Sequence, residues 1–274
     1  MKDVVVFGAG NIGTTLINRL KSIGCNPKYI VRSKDIFDTS LMHNVSAAFI
    51  CIPTVDIGET SFKYAHSFLS QGKPVITCEK ASIAYHWDEL KRYKDIFKYT
   101  ATVGGGTKML KELSKLLPTD IHEVKAVVNG TLNFISDSFV LNKTSDDIFR
   151  EVIEKGYAEP GSTTFDEVIK AELHDVALKT IIMANHSGLF DKTIKKEDVE
   201  MVTDVTLIGA KKCAVHITKN SIRAGFIEDN NVQWLPSGVN NVLYINGIQK
   251  VYGRGAGADA TVSAMLDDFK DVFL

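Results

Sequence analysis

In the stretch "AELHDVALKTIIMANH", Asp175 and Lys179 stand four residues apart. Leu173, Val176, Ala177, Thr180 and Ile181 give the same stretch one apolar face at helical spacing, so the acid and the amine share a side of a helix close to its buried face. Two readings of the pair are open. An exposed ion pair at this spacing contributes roughly 0.3 kcal/mol and nothing more. A proton-handling pair would do chemistry, because an ammonium beside a developing oxyanion stabilises it and can give up a proton. Burial or a second lysine would lower the pKa of that ammonium, whereas a neighbouring carboxylate opposes the shift. In the second reading the two would handle a proton together, and spacing alone does not assign their roles.

The start of the chain must position whatever such a pair acts with. "DVVVFGAGNIGTTLINRL" runs from a continuous apolar strand, Val4 to Phe7, through Gly8, Gly10 and Gly13, into a helix. Glycines at this spacing allow a tight turn, close backbone approach to a pyrophosphate and close helix–sheet packing; the helix continues over Thr14 to Leu20, and its N-terminus adds unsatisfied N–H groups. The stretch reads as a dinucleotide-binding turn. The second strand, "PKYIVRS", ends in Arg32 and Ser33 with Lys34 following, a set that suits a 2′-phosphate and hence NADP, while Asp35 leaves NAD open. The strands "AAFICIPT" and "KPVITCEK", with a helix between them, extend a parallel α/β pattern. Pro53, Thr54 and Lys80 then fall at the carboxyl ends of strands, where ligands bind. Lys80 reads equally as a surface residue.

The middle of the chain changes texture. Gly104 to Gly106 suit a hinge or close approach to a ligand, a helix is expected from about Thr107 to Leu117 before Pro118, and the first domain is expected to end near Val103. "EVKAVVNGTLNFISDSFV" is a strand, a Gly130–Thr131 turn and a helix, with Thr131 either capping the helix or holding a ligand oxygen. "YAEPGSTTFDE" places an acid-bearing loop before the Asp175 helix. "CAVHIT", "SIRAGFI" and "NNVLYI" read as strands of a mixed or antiparallel sheet, and "VYGRGAGADATVSAMLDDF" as a glycine-rich turn into a closely packed helix.

The chain of 274 residues carries 32 basic and 33 acidic residues, a net charge of -1, which offers no overall field for nucleic acid or a membrane surface. No CxxC or clustered His spacing argues for a metal enzyme, His216 reads as a structural residue, and Cys51 and Cys78 read as buried thiols. The first strand begins almost at Met1, and no run of about 18 apolar residues is present, so a reducing, cytoplasmic location is expected.

In order along the chain, "GAGNIG", "GKPVITCEKASI", "TATVGGG", "VVNGTLNFI", "EKGYAEP", "HDVALK" and "GRGAGADATVSAMLDDF" resemble the homoserine dehydrogenase family over nearly its whole length. The resemblance implies reversible reduction of L-aspartate 4-semialdehyde to L-homoserine with NADP preferred and NAD possible, a step towards threonine and methionine. It implies an α/β fold: a Rossmann-type domain of residues 1–103 plus 250–274, and an α+β substrate and dimerisation domain with a mixed sheet over residues 104–249. A homodimer is the implied assembly, with a small-molecule substrate and neither nucleic acid nor membrane as partner. By motif, Lys179 is the proton donor, Asp175 its partner, and Lys80 lies near nicotinamide and substrate. Tyr157, Glu159, Gly130 and Thr131 match substrate-binding positions, with Asp166 the best match for a further substrate-binding aspartate. Gly255 joins Gly8, Gly10, Asn11, Ile12, Gly13, Arg32, Ser33, Pro53 and Thr54 on the cofactor side. A related dehydrogenase of another small amino-acid aldehyde or 2-substituted acid is the alternative, and a non-catalytic dinucleotide-binding protein a more distant one.

The departures are specific. Glu79 replaces an asparagine and puts a charge near the cofactor if it points inward. Thr100 replaces a glutamate that joins backbone carbonyls, here those of Val103 and Gly105, around a monovalent cation, so no metal is assigned. The approach from Glu159 to Asp175 is longer than in the family. The stretch between "VHITKNSIRAG" and "GVNNVLYING" is shorter, and no C-terminal amino-acid-sensing domain is expected.

Overall fold

The computed structural model describes residues 2–36, 38–158, 161–208, 211–227, 235–255 and 257–273. In chain order the elements are β1 (Asp3–Phe7), α1 (Asn11–Ser22), β2 (Asn26–Val31), β3 (Ala47–Ile50), α2 (Glu59–Leu69), β4 (Val75–Thr77), α3 (Ala81–Tyr85), α4 (Trp87–Leu90) and β5 (Phe97–Lys98). Then come α5 (Met109–Leu113), β6 (Glu123–Val127), α6 (Gly130–Val140), α7 (Ser145–Glu154), α8 (Phe165–Ser187), β7 (Glu200–Val202), β8 (Cys213–Thr218), β9 (Ser221–Phe226), β10 (Asn240–Ile245), β11 (Ile248–Arg254) and α9 (Ala258–Phe273). They form two compact units, Met1–Lys108 with Gly257–Leu274, and Met109–Ala256.

The first unit is built on a parallel sheet in the order β2-β1-β3-β4-β5. Its central strands β1 and β3 read as apolar runs because both faces are covered, and Val4 to Phe7 and Ala47 to Ile50 are fully buried. α9 completes this core: Val262, Met265, Leu266 and Phe269 pack with Val4, Leu16, Phe49 and Ile76. The buried Asp268 carboxylate accepts the Thr100 N–H at 2.9 Å.

The unit boundary falls at Lys108, beyond Val103. Gly106 lies so close to Ala260 that a Cβ on it would stand 2.7 Å from the alanine methyl, and Lys108 pairs with Asp267. The return begins at Gly257 and not at 250, because the stretch read as a glycine-rich turn is largely strand: β11 pairs along β10 as far as Arg254. α5 is likewise shorter than the expected helix. Gly105–Thr107 form a 3-10 turn and Lys108 sits at φ 53, so helix cannot begin before Met109. "WDELKRYKDIF" gives only α4 and a 3-10 turn at Lys91–Tyr93.

The second unit carries a six-stranded mixed sheet in the order β11-β10-β6-β8-β9-β7, antiparallel except where β7 runs parallel to β9. The 23-residue α8 packs on β8 and β9. Its start is fixed by a capping box, in which Thr164 accepts the Glu167 N–H and Glu167 accepts the Thr164 N–H; its end is fixed by Gly188 in the left-handed conformation. His216 bonds Glu123 across β8 and β6 at 2.8 Å, a cross-strand structural contact.

Candidate functional site

In the first unit the glycine turn works through missing atoms. Gly8 sits at φ +95, and a Cβ there would stand 2.5 Å from the Cys51 carbonyl oxygen. A Cβ on Gly13 would stand 2.1 Å from the Gly8 carbonyl oxygen, so α1 reaches the turn only with glycine at that position. Gly10 differs: it caps α1 with no side-chain hydrogen bond, and nothing lies within 4 Å of where its Cβ would be. This open cradle at an uncapped helix N-terminus fits a pyrophosphate. Asn11 is exposed and Ile12 packs on the core.

At the end of β2 the Arg32 and Ser33 side chains are exposed, with no hydrogen bond among the described residues. Asp35 folds back, its carboxylate accepting the Arg32 N–H at 2.7 Å, so that carboxylate holds the turn itself. Pro53 is exposed after β3, and the Thr54 hydroxyl accepts the Lys80 N–H at 3.4 Å, joining the ends of β3 and β4. Cys51 is buried and Cys78 half-buried; the hydrogen bond between their sulfurs, with burial, pushes the Cys51 thiol well above its ordinary range. Glu79 is 1% exposed, and its two oxygens accept the N–H groups of Ala81 at 2.6 Å and Ser82 at 3.0 Å. Its charge caps α3 and is spent on the backbone.

In the second unit, β6 delivers Val128 and Asn129 to the side of α8. Lys179 Nζ lies 2.6 Å from Asp175 Oδ2 and donates to the Val128 carbonyl at 2.8 Å. The Lys179 and Asp175 side chains are 15% and 20% exposed, which removes this pair from the class of solvated surface ion pairs. Asn129 caps α6 by accepting the Leu132 N–H at 2.9 Å, a role the sequence offered to Thr131. Thr131 instead donates to the Tyr157 carbonyl at 2.8 Å, and the Tyr157 ring meets Phe134 edge-on at 5.3 Å. Gly130 is required by crowding: a Cβ there would lie 2.7 Å from the Val239 carbonyl oxygen.

Two groups missed in the sequence complete this constellation. The Asn129 side-chain nitrogen donates to Glu172 Oε2 at 2.5 Å and to Asp175 Oδ2 at 3.1 Å. Glu172 is 8% exposed. The signal available was spacing, since 172, 175 and 179 lie on one helix face. Burial pushes the nearby Cys213 thiol up to about 12, with the Asp175 and Glu172 carboxylates adding to it.

Some predicted residues stand apart. Asp166 is nine residues before Asp175 on the same helix, about 13 Å of rise away. It lines a separate cavity of about 370 Å³ with Phe139, Phe165, Ile169 and Val205. This placement does not join it to the Asp175–Lys179 constellation. Glu159 lies outside the described residues. Gly255 is buried directly after β11. At the considered cation site, the Gly105 carbonyl accepts the Lys108 N–H at 3.2 Å, and no group of three His, Cys, Asp or Glu side chains suited to a metal occurs among the described residues.

A family model described as homoserine dehydrogenase matches residues 109–269, more than half of the chain. The chain belongs to the homoserine dehydrogenase family. The match starts at the first residue of the second unit and runs into α9. Among curated homoserine dehydrogenases, that of Pseudomonas aeruginosa is 29% identical over 87% of this chain and 59% of its own length. An NAD(+)-dependent homoserine dehydrogenase from Pseudomonas canavaninivorans is 28% identical over 77% of this chain and 66% of its own. This family member thus spans about three-fifths of these curated relatives. A hyperthermophilic archaeal homoserine dehydrogenase solved in complex with NADPH shares the fold at a TM-score of 0.76, with 20% identity over 99% of this chain and 97% of that one.

Proposed function

We propose that the chain is a homoserine dehydrogenase, reversibly reducing L-aspartate 4-semialdehyde to L-homoserine with NADPH preferred over NADH. The observation that carries this is the Asp175–Lys179 pair: half-buried, tied to the Val128 carbonyl, and hydrogen-bonded through Asp175 to Asn129 at the head of the Asn129–Gly130–Thr131 turn. The nicotinamide cofactor, when bound, supplies or accepts the hydride. Gly8, Gly10 and Gly13 with the N-terminus of α1 would hold its pyrophosphate, and Arg32 and Ser33 a 2′-phosphate. On the protein side, the Lys179 ammonium gives one proton to the aldehyde oxygen as negative charge builds on it and becomes a neutral amine; in the reverse direction that neutral amine takes the proton of the alcohol. Asp175 keeps that ammonium in place through a charge-assisted hydrogen bond. Lys80 would stand on the nicotinamide side, and Tyr157 and Glu159 on the substrate side.

Purified protein should oxidise NADPH in the presence of aspartate 4-semialdehyde, and NADH more slowly. A folded sample with no turnover on either cofactor would sink this reading, and a clear preference for NADH would assign Arg32 and Ser33 to an ordinary turn. The family resemblance further supports a homodimer built on the second unit, testable by sedimentation equilibrium. A cytoplasmic location is supported by four free cysteines and by the lack, among the described residues, of a helix long and apolar enough to cross a membrane. Fractionation of cells expressing a tagged chain tests it.

A further inference from the structure

Glu172 is used by neither the proton step nor the glycine turn, yet a buried carboxylate is costly to keep unless its hydrogen bonds do something. It shares a helix face with Asp175, three residues on, and Lys179, seven on. Among its partners is the Asn129 amide, and that amide is held at both ends. Its oxygen takes the Leu132 N–H, so the nitrogen must face α8. The two amide hydrogens then go to Glu172 Oε2 and Asp175 Oδ2, and Asp175 Oδ2 is also the atom that meets Lys179.

We propose that Glu172 is a positioning residue for proton transfer: by taking one hydrogen of Asn129 it aims the other at Asp175, and so fixes where the Lys179 ammonium stands beside the 129–131 turn. The inference rests on the dehydrogenase reading. It follows from the hydrogen-bond inventory of an asparagine, which has two donor hydrogens on one nitrogen and here two carboxylates to receive them. Without an acceptor at 172 the amide nitrogen keeps only its longer bond to Asp175, so the donor on the oxygen that orients the ammonium is less tightly aimed. The effect falls on the proton step and leaves the turn's grip on substrate.

The test is steady-state homoserine oxidation with NADP+ by the full chain, with kcat and KM separated. Glu172→Met, of similar length but with no acceptor oxygen, should lose about 10–100-fold in kcat, the scale of a hydrogen bond to a charged group, with KM for homoserine within about threefold. Glu172→Gln restores an acceptor and should run at least about fivefold faster than Glu172→Met. In an Asp175→Ala background the Met change should cost nearly nothing more, since the two act as one unit. Should Glu172→Met fail to fold, Asn129→Ser keeps the cap on Leu132 and removes the bridging nitrogen; the same kcat loss is expected from it. Wild-type kcat in folded Glu172→Met or Asn129→Ser, or equal losses in the Met and Gln variants, overturns the inference while leaving the dehydrogenase reading in place. A wild-type chain without turnover overturns both.

Discussion

The glycine turn of the first unit and the acid–amine constellation of the second solve opposite problems. The turn works by omission: three positions lack a side chain, two because a Cβ would strike a carbonyl oxygen and one because the space is left open. The constellation works by accumulation, with Asn129, Glu172, Asp175 and Lys179 sharing hydrogen bonds and burial. Omission is local and needs only a strand, a turn and a helix. Accumulation depends on β6 and α8 being folded together, since Asn129 and Glu172 are 43 residues apart.

This contrast can be broken most directly at Lys179. Lys179→Ala should lose about 10²–10⁴-fold in kcat while keeping wild-type circular dichroism; near-normal turnover would return the pair to a structural ion pair. At the turn the expected loss is in binding. Gly10→Ala, with open space for its methyl, should keep its thermal midpoint and raise the KM for cofactor by about tenfold or more. Gly13→Ala offers the sharper opposite: its methyl meets the Gly8 carbonyl, so stability should fall by about 1–3 kcal/mol, measured by urea unfolding. If the two glycine variants behaved alike, the division between cradle and packing would fail. Arg32→Ala should reduce the preference for NADPH over NADH by about 10-fold or more, the size of one phosphate contact with a charged donor.

The smallest effect lies at His186, seven residues after Lys179 on α8. Burial lowers the pKa of His186 to about 4, although the residue is only half-buried by surface area and its Nε2 reaches the Leu110 carbonyl at 3.0 Å. The unfolded chain binds that proton near the ordinary 6.5, so the folded form loses ground as pH falls from about 6.5 towards 4 and is unaffected above that window. A stability loss of about 1–2 kcal/mol across it, smaller than full linkage because of the remaining solvent contact, should be visible in thermal melts and disappear in His186→Gln.

What the sequence made legible follows the same division. "FGAGNIG" announced its geometry within a few residues, and the period of "AELHDVALKTIIMANH" placed Asp175 and Lys179 on one face. Glu172 stood in that stretch without a role, because nothing local says that an asparagine from another strand will face it. Glu79 shows the converse: by type it promised a charge near the cofactor, and the structure consumes that charge at the start of α3. Thr131 looked like a cap until Asn129, one residue before Gly130, took the task. β11 was hidden by Gly253 and by the glycine-rich stretch that follows it, which together signal a turn, although Gly253 is tolerated in a strand that pairs with β10.

The return of α9 bears on how the molecule is made. The residues that cover β1 and β3, among them Val262, Met265 and Phe269, leave the ribosome after everything between Met109 and Ala256. At about 5–20 residues per second, this face of the sheet and the glycine turn wait on the order of ten seconds for their last layer. Before that interval ends the second unit has its whole chain available, while the first still awaits α9. The part of the protein written first is therefore the part finished last, and its apolar strands are what a nascent-chain chaperone would meet.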